Sequence, residues 1–164
     1  MSVDIFATFE PSQGVPTITV GETDTDPRSK GIPIRTFSYG FKNTPTQAGP
    51  GKAQFQPVIL TRRVDAASPR LFRALCMGGF YTLVTFEFFM SGNVKMYTIG
   101  CKLALLTEIQ QIVEDGSGVV IEHITMQCGA LQLRYRTRKA DGTFDTEVVE
   151  QWSTIKNNAT FDVV

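Results

Sequence analysis

Apolar and polar residues alternate with period two through most of this chain, and only one stretch is composed as a helix: VDAASPRLFRALCMGG, residues 64–79. That contrast constrains the fold more than any other feature, because it calls for a β-structure with a single helical accessory. The helix is punctuated at both ends. Ser68 is placed to cap the first turn through its hydroxyl, and Pro69 follows where a missing N–H costs nothing. Leu71 with Leu75, and Phe72 with Cys76, repeat at four-residue spacing and predict one apolar stripe, with Arg70 and Arg73 turned to water. Gly78 and Gly79 end the element, since glycine accepts the left-handed conformation. The spacing predicts a helix over about 69–77, set as a plug or lid on a β-core.

The strand pattern shifts phase repeatedly. Val3–Phe9 reads as a first strand and residues 10–30 as a polar loop. In Ile32–Lys42, Ile32 and Ile34 share one parity and Phe37, Tyr39 and Phe41 the other, which predicts a bulge or a sheet corner. Ala53–Val64 is a strand whose Pro57 implies an edge or a bulge. Phe80–Met90 follows the helix, with a hairpin turn at 91–93. Lys95–Val113 then alternates, with Tyr97, Ile99, Cys101, Leu103 and Leu105 on one face, up to a turn at Asp115–Gly118. Val119–Lys139 slips phase at Gly129, and Asp141-Gly142 makes a tight hairpin. Phe144, Val148 and Trp152 line the next strand, and the tail STIKNNATFDVV reads as a short final one. Hairpins and phase slips together fit a mainly β fold: a small twisted antiparallel β-barrel with one short flanking α-helix. No repeat or linker interrupts residues 1–164, so they form a single domain.

Lys plus Arg and Asp plus Glu are each 16, so net charge is zero and the basic surplus of a nucleic-acid binder is missing. No apolar run reaches membrane-spanning length, so no membrane insertion is expected. The start, MSVDIFATFE, lacks a secretory signal and predicts a cytoplasmic beginning, with any export leaving no cleaved signal peptide. Cys76, Cys101 and Cys128 each fall on an apolar stripe and read as buried reduced thiols. One histidine and no CxxC pair give no zinc site, and no cofactor is expected.

Chemistry-bearing patterns are sparse. His123 has no partner nucleophile in sequence and reads as a sheet-face residue. The AGPGK stretch lacks phosphate-loop spacing, and Glu22, Asp24 and Asp26 lack the glycine and glutamate of a calcium loop. No enzyme activity is expected. Arg134, Arg136 and Arg138 form a ladder that suits a solvated sheet, a polar channel or acids on a neighbouring subunit. Residues 43–52, NTPTQAGPGK, carry nothing apolar larger than alanine, so they are either mobile or ordered by a partner. Phe80–Met90 places bulky groups on both faces: Phe80, Phe86 and Phe88 on one, Tyr81, Leu83 and Phe89 on the other. One face fills the core; the other wants the helix or another chain, which makes these residues candidates for a subunit interface.

Several stretches in order resemble the Hcp (haemolysin-coregulated protein) family, the tube protein of bacterial type VI secretion. SVDIF resembles its opening strand, GETD at 21–24 its Gly-Glu-Ser-polar motif, and IRTFSYGF at 34–41 its aromatic strand. VDAASPRLFRALCMGG is similar to its Ser-Pro helix segment, and WSTIKNNATF at 152–161 to its closing motif. The family's frequent tryptophan in the aromatic strand and histidine after the Glu-Ser motif are replaced here, as in a divergent member. The resemblance implies a barrel with a flanking helix, assembled with itself as a homohexamer in stacked rings. It further implies a spike protein, a contractile sheath and small effector proteins as partners, with secretion by sheath contraction. The stacking loop would fall on Asn43, Thr44, Pro45, Thr46, Gln47, Ala48, Gly49 and Pro50. Near-zero net charge suits the stacking of identical rings. A soluble binding module or chaperone for secreted cargo, and a phage tail-tube-like subunit, are the alternative readings.

Overall fold

The parity change between Ile34 and Phe37 is a corner at which the sheet turns back on itself. A computed structural model describes residues 3–18, 30–90 and 93–164. The first six strands are β1 (Asp4–Pro11), β2 (Ile32–Ile34), β3 (Thr36–Ser38), β4 (Phe41–Asn43), β5 (Ala53–Phe55) and β6 (Val58–Arg63). After α1 (Ser68–Met77) come β7 (Phe80–Met90), β8 (Val94–Val113), β9 (Val120–Gln127), β10 (Ala130–Tyr135) and β11 (Val148–Ser153). Nine strands form one antiparallel sheet ordered β2-β1-β7-β8-β9-β6-β3, with β10 on β8 and β11 on β10. The order begins on β2 and ends on β3, which are halves of one run divided only by Arg35. The Arg35 N–H donates to the Thr61 carbonyl at 2.8 Å. The chain itself, rather than an unbroken ladder, joins the two edges, and the expected barrel takes this form.

Inside the curl lies one core. Phe9, Ile32, Leu60, Val84, Phe86, Ile99, Cys101, Ile124 and Met126 pack there with Leu71 and Ala74 of α1. Each large side chain so buried contributes roughly 1.5–3 kcal/mol. Phe37 packs its ring 4.6 Å from that of Phe86, so the residue just past the corner rejoins the core.

The helix forms where its punctuation places it, but its start and stripe differ from expectation. Gly78 closes it in the left-handed region at φ 63°, and its N–H donates to Leu75 at 3.0 Å. The N-cap is Ala67, with no side-chain cap; the Ser68 hydroxyl is buried and turned inward instead. There it donates to Glu122 Oε1 at 2.9 Å and accepts from Arg62 Nη1 at 3.2 Å. Ser68, Leu71 and Ala74 make the buried face, while Phe72 and Cys76 are exposed. Ala74 is the reason: its small side chain lets the helix approach along that line and turns Phe72 outward.

Other expectations are refined. Pro57 separates two strands rather than marking an edge, since β6 is paired on both sides, by β3 and β9. Gly129 sits in the slip between β9 and β10, as the phase change indicated. The tail is not a strand; it is a turn closed by Ser153 and Asn158. Its Phe161 lies over Gly100, and Lys102 Nζ sits 4.7 Å from the ring centre. The acidic residues Glu22, Asp24 and Asp26, GETD at 21–24 and most of the 91–93 turn lie outside the described residues.

Tyr81 carries a cost that can be removed. It is fully buried on β7, and its hydroxyl has no partner among the described residues. Burial pushes its pKa from 10 up to about 12. The folded state holds the neutral form, so stability is complete below pH 10 and is lost as pH rises from 10 through 12. Tyr81→Phe is expected to raise stability by about 1 kcal/mol and to flatten that alkaline loss. Thermal midpoints measured by circular dichroism between pH 8 and 12 check both.

Candidate assembly surfaces

Residues 43–50 are ordered by their own backbone. β4 and β5 pair as a separate antiparallel ribbon, Phe41 opposite Phe55. At the tip, Thr46 N–H donates to Gly49 O at 2.8 Å and Gly49 N–H returns a bond to Thr46 O at 3.0 Å. Asn43 Nδ2 donates to Gly51 O at 3.0 Å. The segment is thus neither loose nor in need of a partner to shape it, contrary to the sequence expectation. Asn43, Thr44, Pro45, Thr46, Gln47, Ala48 and Pro50 are exposed and Gly49 half-buried, as a projecting hairpin requires.

Gly51 is essential to that hairpin. A Cβ there would lie 1.9 Å from the Thr44 carbonyl oxygen, with backbone on the other side of the contact. Gly51→Ala should open the hairpin and leave the core intact. Hydrogen exchange is expected to show protection lost at the Thr46 and Gly49 amides, with the thermal midpoint almost unmoved.

The arginine ladder is divided. Arg134 is on β10, and Arg136 lies just past its end with its N–H on Met96 O at 2.9 Å. Both line a recess of about 550 Å³ over Thr85, Thr98 and Gly100. Glu147 stands between them, 4.0 Å from Arg134 Nη1 and 3.9 Å from Arg136 Nη2. Arg138 lies apart, bridged to Phe144 across the Asp141-Gly142 hairpin. The recess, open to solvent, thus holds these two arginines facing one carboxylate, together with a Lys95–Glu87 pair at 2.8 Å.

Of the six β7 candidates, the subunit itself buries three. Tyr81 and Phe86 are fully enclosed, and Phe89 packs edge-on against Phe6 at 5.8 Å. The extra residue Thr82, opposite the step from Glu10 to Pro11, shifts Tyr81 onto the core face with Val84 and Phe86. The two-faced appearance of the strand comes largely from that slip. Phe80 is exposed, and Leu83 and Phe88 are half-buried.

Exposed apolar side chains stand instead beside both halves of β8. Its residues 105–113 pair with β9, and there Val113 lies opposite Val120, whose carbonyl accepts from Val64 N–H at 3.0 Å. From Val64 the chain passes through α1 to Phe80, which lies opposite Leu105. Val113 and Val120 with Val64 at one end of this ladder, Phe80 and Leu105 at its other end, and Phe72 and Met77 on α1 are all exposed. Residues 97–102 of β8 pair with β10, and there Tyr135, Val148 and Val149 are exposed on β10 and β11, with Phe144 on the connection between them.

A cluster that sequence reading passed over ties α1 to the sheet. Arg62 on β6 and Glu122 on β9 are directly opposite in the ladder, and both side chains are fully buried. The guanidinium binds Glu122 through Nη1 and Asp65 through Nη2, the latter at 2.5 Å. Gln111 Nε2 donates to the second Glu122 oxygen at 3.3 Å. His123, beside it, is half-buried in the ladder between Thr61 and Gln110. Among the described residues no histidine, cysteine, aspartate and glutamate group is arranged to hold a metal, and no helix is long and apolar enough to cross a membrane.

The fold is shared with solved structures of secretion proteins. A structure described as that of a type six secretion system protein superposes with TM-score 0.84 at 20% identity, covering 97% of this chain and 100% of its own. Hcp1 from Salmonella typhimurium gives 0.75 at 15% identity over 98% and 100%. A type VI secretion system effector from Yersinia pestis gives 0.66 at 16% identity over 91% and 98%. No curated protein sequence matches. This is the fold of type VI secretion proteins. A family model described as the type VI secretion system effector Hcp matches residues 9–141. The chain belongs to the Hcp family, the secreted tube proteins of that system.

Proposed function

We propose that the protein is a structural tube subunit without catalysis. It closes into hexameric rings, stacks ring on ring through the hairpin tip at 43–50, and is secreted with the tube. Spike protein, contractile sheath and small effectors are its partners.

The observation that supports this reading is the set of exposed apolar side chains beside both halves of β8. A closed ring is built from a heterologous contact, in which one patch of each subunit meets a different patch of the next. Exposed apolar patches of this kind mark contact sites. Phe80 belongs to this set, while Leu83 and Phe88 offer only partial surface. In this reading Arg134 and Arg136, lining one recess, and Arg138 beyond it meet acids of cargo or of a neighbouring subunit.

Light scattering behind a sizing column, with negative-stain images of the same fraction, tests the proposal. A particle of about six chains with a central hole is expected for a closed heterologous ring. A monomer across the whole concentration range would overturn it and favour a soluble binding module for secreted cargo.

A further inference from the structure

Gly100 stands inside the longest strand, β8, buried and paired on both sides, with Thr85 of β7 and Gln132 of β10. Glycine weakens a strand interior, and its presence there marks a place where another group approaches closely. That group is the ring of Phe161: a Cβ at position 100 would lie 3.0 Å from its Cζ, tighter than ordinary van der Waals contact. Lys102 Nζ covers the ring at 4.7 Å from its centre. Asp162, the next residue, stands 4.0 Å from both Lys102 Nζ and Lys156 Nζ. The chain reaches this place through a turn in which Asn157 takes φ 52° and Ser153 and Asn158 exchange main-chain hydrogen bonds at 3.0 and 3.3 Å. Thr160 N–H still donates to Asn158 O at 2.9 Å, but residues 161–164 make no hydrogen bond to the sheet among the described residues. Side chains alone hold them: a ring on a glycine and a carboxylate between two ammonium groups.

We propose that this seat is a docking site for an extended segment of a partner protein bearing an aromatic residue followed by an acid. Phe161 and Asp162 occupy it in the lone subunit until such a segment displaces them. The proposal rests on the reading of this recess as a place where acids of a partner are met, and not on ring closure. The occupant's chemistry follows from what the seat already holds. Gly100 leaves space for a flat ring and for no side chain of its own. Lys102 and Lys156 supply the charge that an acid beside the ring would meet. The resident acid is weakly kept, since Asp162 is 62% exposed and both its ion pairs are at the long limit for such contacts. Arg134 and Arg136 line the same recess as Gly100 and Phe161, so further acids of an incoming segment would also find cations there.

The test is fluorescence anisotropy with a labelled peptide copying residues 157–164, NNATFDVV. It is added to the unchanged full chain and to the full chain carrying Phe161→Ala and Asp162→Ala, whose seat is vacated. The vacated chain is expected to bind the peptide about tenfold more tightly, because a tethered segment competes at an effective concentration on the order of millimolar. Binding should weaken as salt is added. It should be lost when Gly100→Leu fills the seat, and when either the phenylalanine or the aspartate of the peptide is replaced by alanine. A vacated chain that keeps its circular dichroism yet ignores the peptide would overturn the proposal. So would equal binding by both chains, binding that survives Gly100→Leu, or a peptide without the acid binding as well as the parent. If the vacated chain does not fold, an NMR titration of the unchanged chain with excess peptide decides: shifts at the Gly100 and Lys102 amides are expected, and shifts only elsewhere overturn it. Light scattering on the same samples reads ring closure separately, so a failed seat and a failed ring are told apart.

Discussion

Glu122→Ala is expected to lower the stability of the protein by about 3–5 kcal/mol, which an equilibrium urea titration reads as a lower midpoint with unchanged slope. The carboxylate it removes is the main counter-charge of Arg62, and neither side chain touches water. With it gone, the guanidinium is left with Asp65 and the Ser68 hydroxyl, and the desolvation cost of a buried cation is no longer offset. Glu122 Oε1 also accepts from Ser68 Oγ, so the start of α1 loses its hold on β9. Replacing the pair together, Arg62→Met with Glu122→Leu, should recover part of the loss, because no unpaired charge then remains inside. A double variant as unstable as the single one would sink this account and point to packing instead.

Phe72→Asp and Val148→Asp are each expected to convert the proposed rings to monomers while leaving the subunit folded. Phe72 is 62% exposed and Val148 60%, so neither change disturbs the core of a single chain. In a ring, both side chains would lie against a neighbour, and a carboxylate there would be buried without a partner. The two variants probe separate elements, α1 and β11, so each alone should abolish closure. Six-chain particles persisting with either variant, at unchanged thermal midpoint, would remove that element from the interface.

The corner at Arg35, the slip at Gly129 and the helix with its glycine stop could all be read from alternation and local chemistry, because each shows as a change of period along the chain. Features set by neighbouring strands could not. Thr82 rotates Tyr81 onto the core face, and only the pairing with β1 reveals it. The Arg62–Glu122 pair left a legible trace: Arg62 continues the parity of Val58 and Leu60, and Glu122 that of Ile124 and Met126. Two opposite charges on core parities of separate strands are a signal, though their adjacency depends on topology. The helix stripe was misjudged because Ala74 counts little in an apolar pattern, yet it decides which face approaches the sheet. Residues 43–52 looked shapeless because their order comes from main-chain bonds, which composition does not show.

The self-ordered hairpin has a thermodynamic consequence for any contact it makes. Fixing one residue from a disordered chain costs roughly 1–2 kcal/mol of conformational entropy. A flexible segment the length of 43–52 would owe that sum each time a partner closed on it. Here β4, β5 and the Thr46–Gly49 bridge settle it while the subunit is still alone. Docking at the tip therefore begins from a rigid shape, so its heat and its rate should change little with temperature compared with a loop that folds on contact.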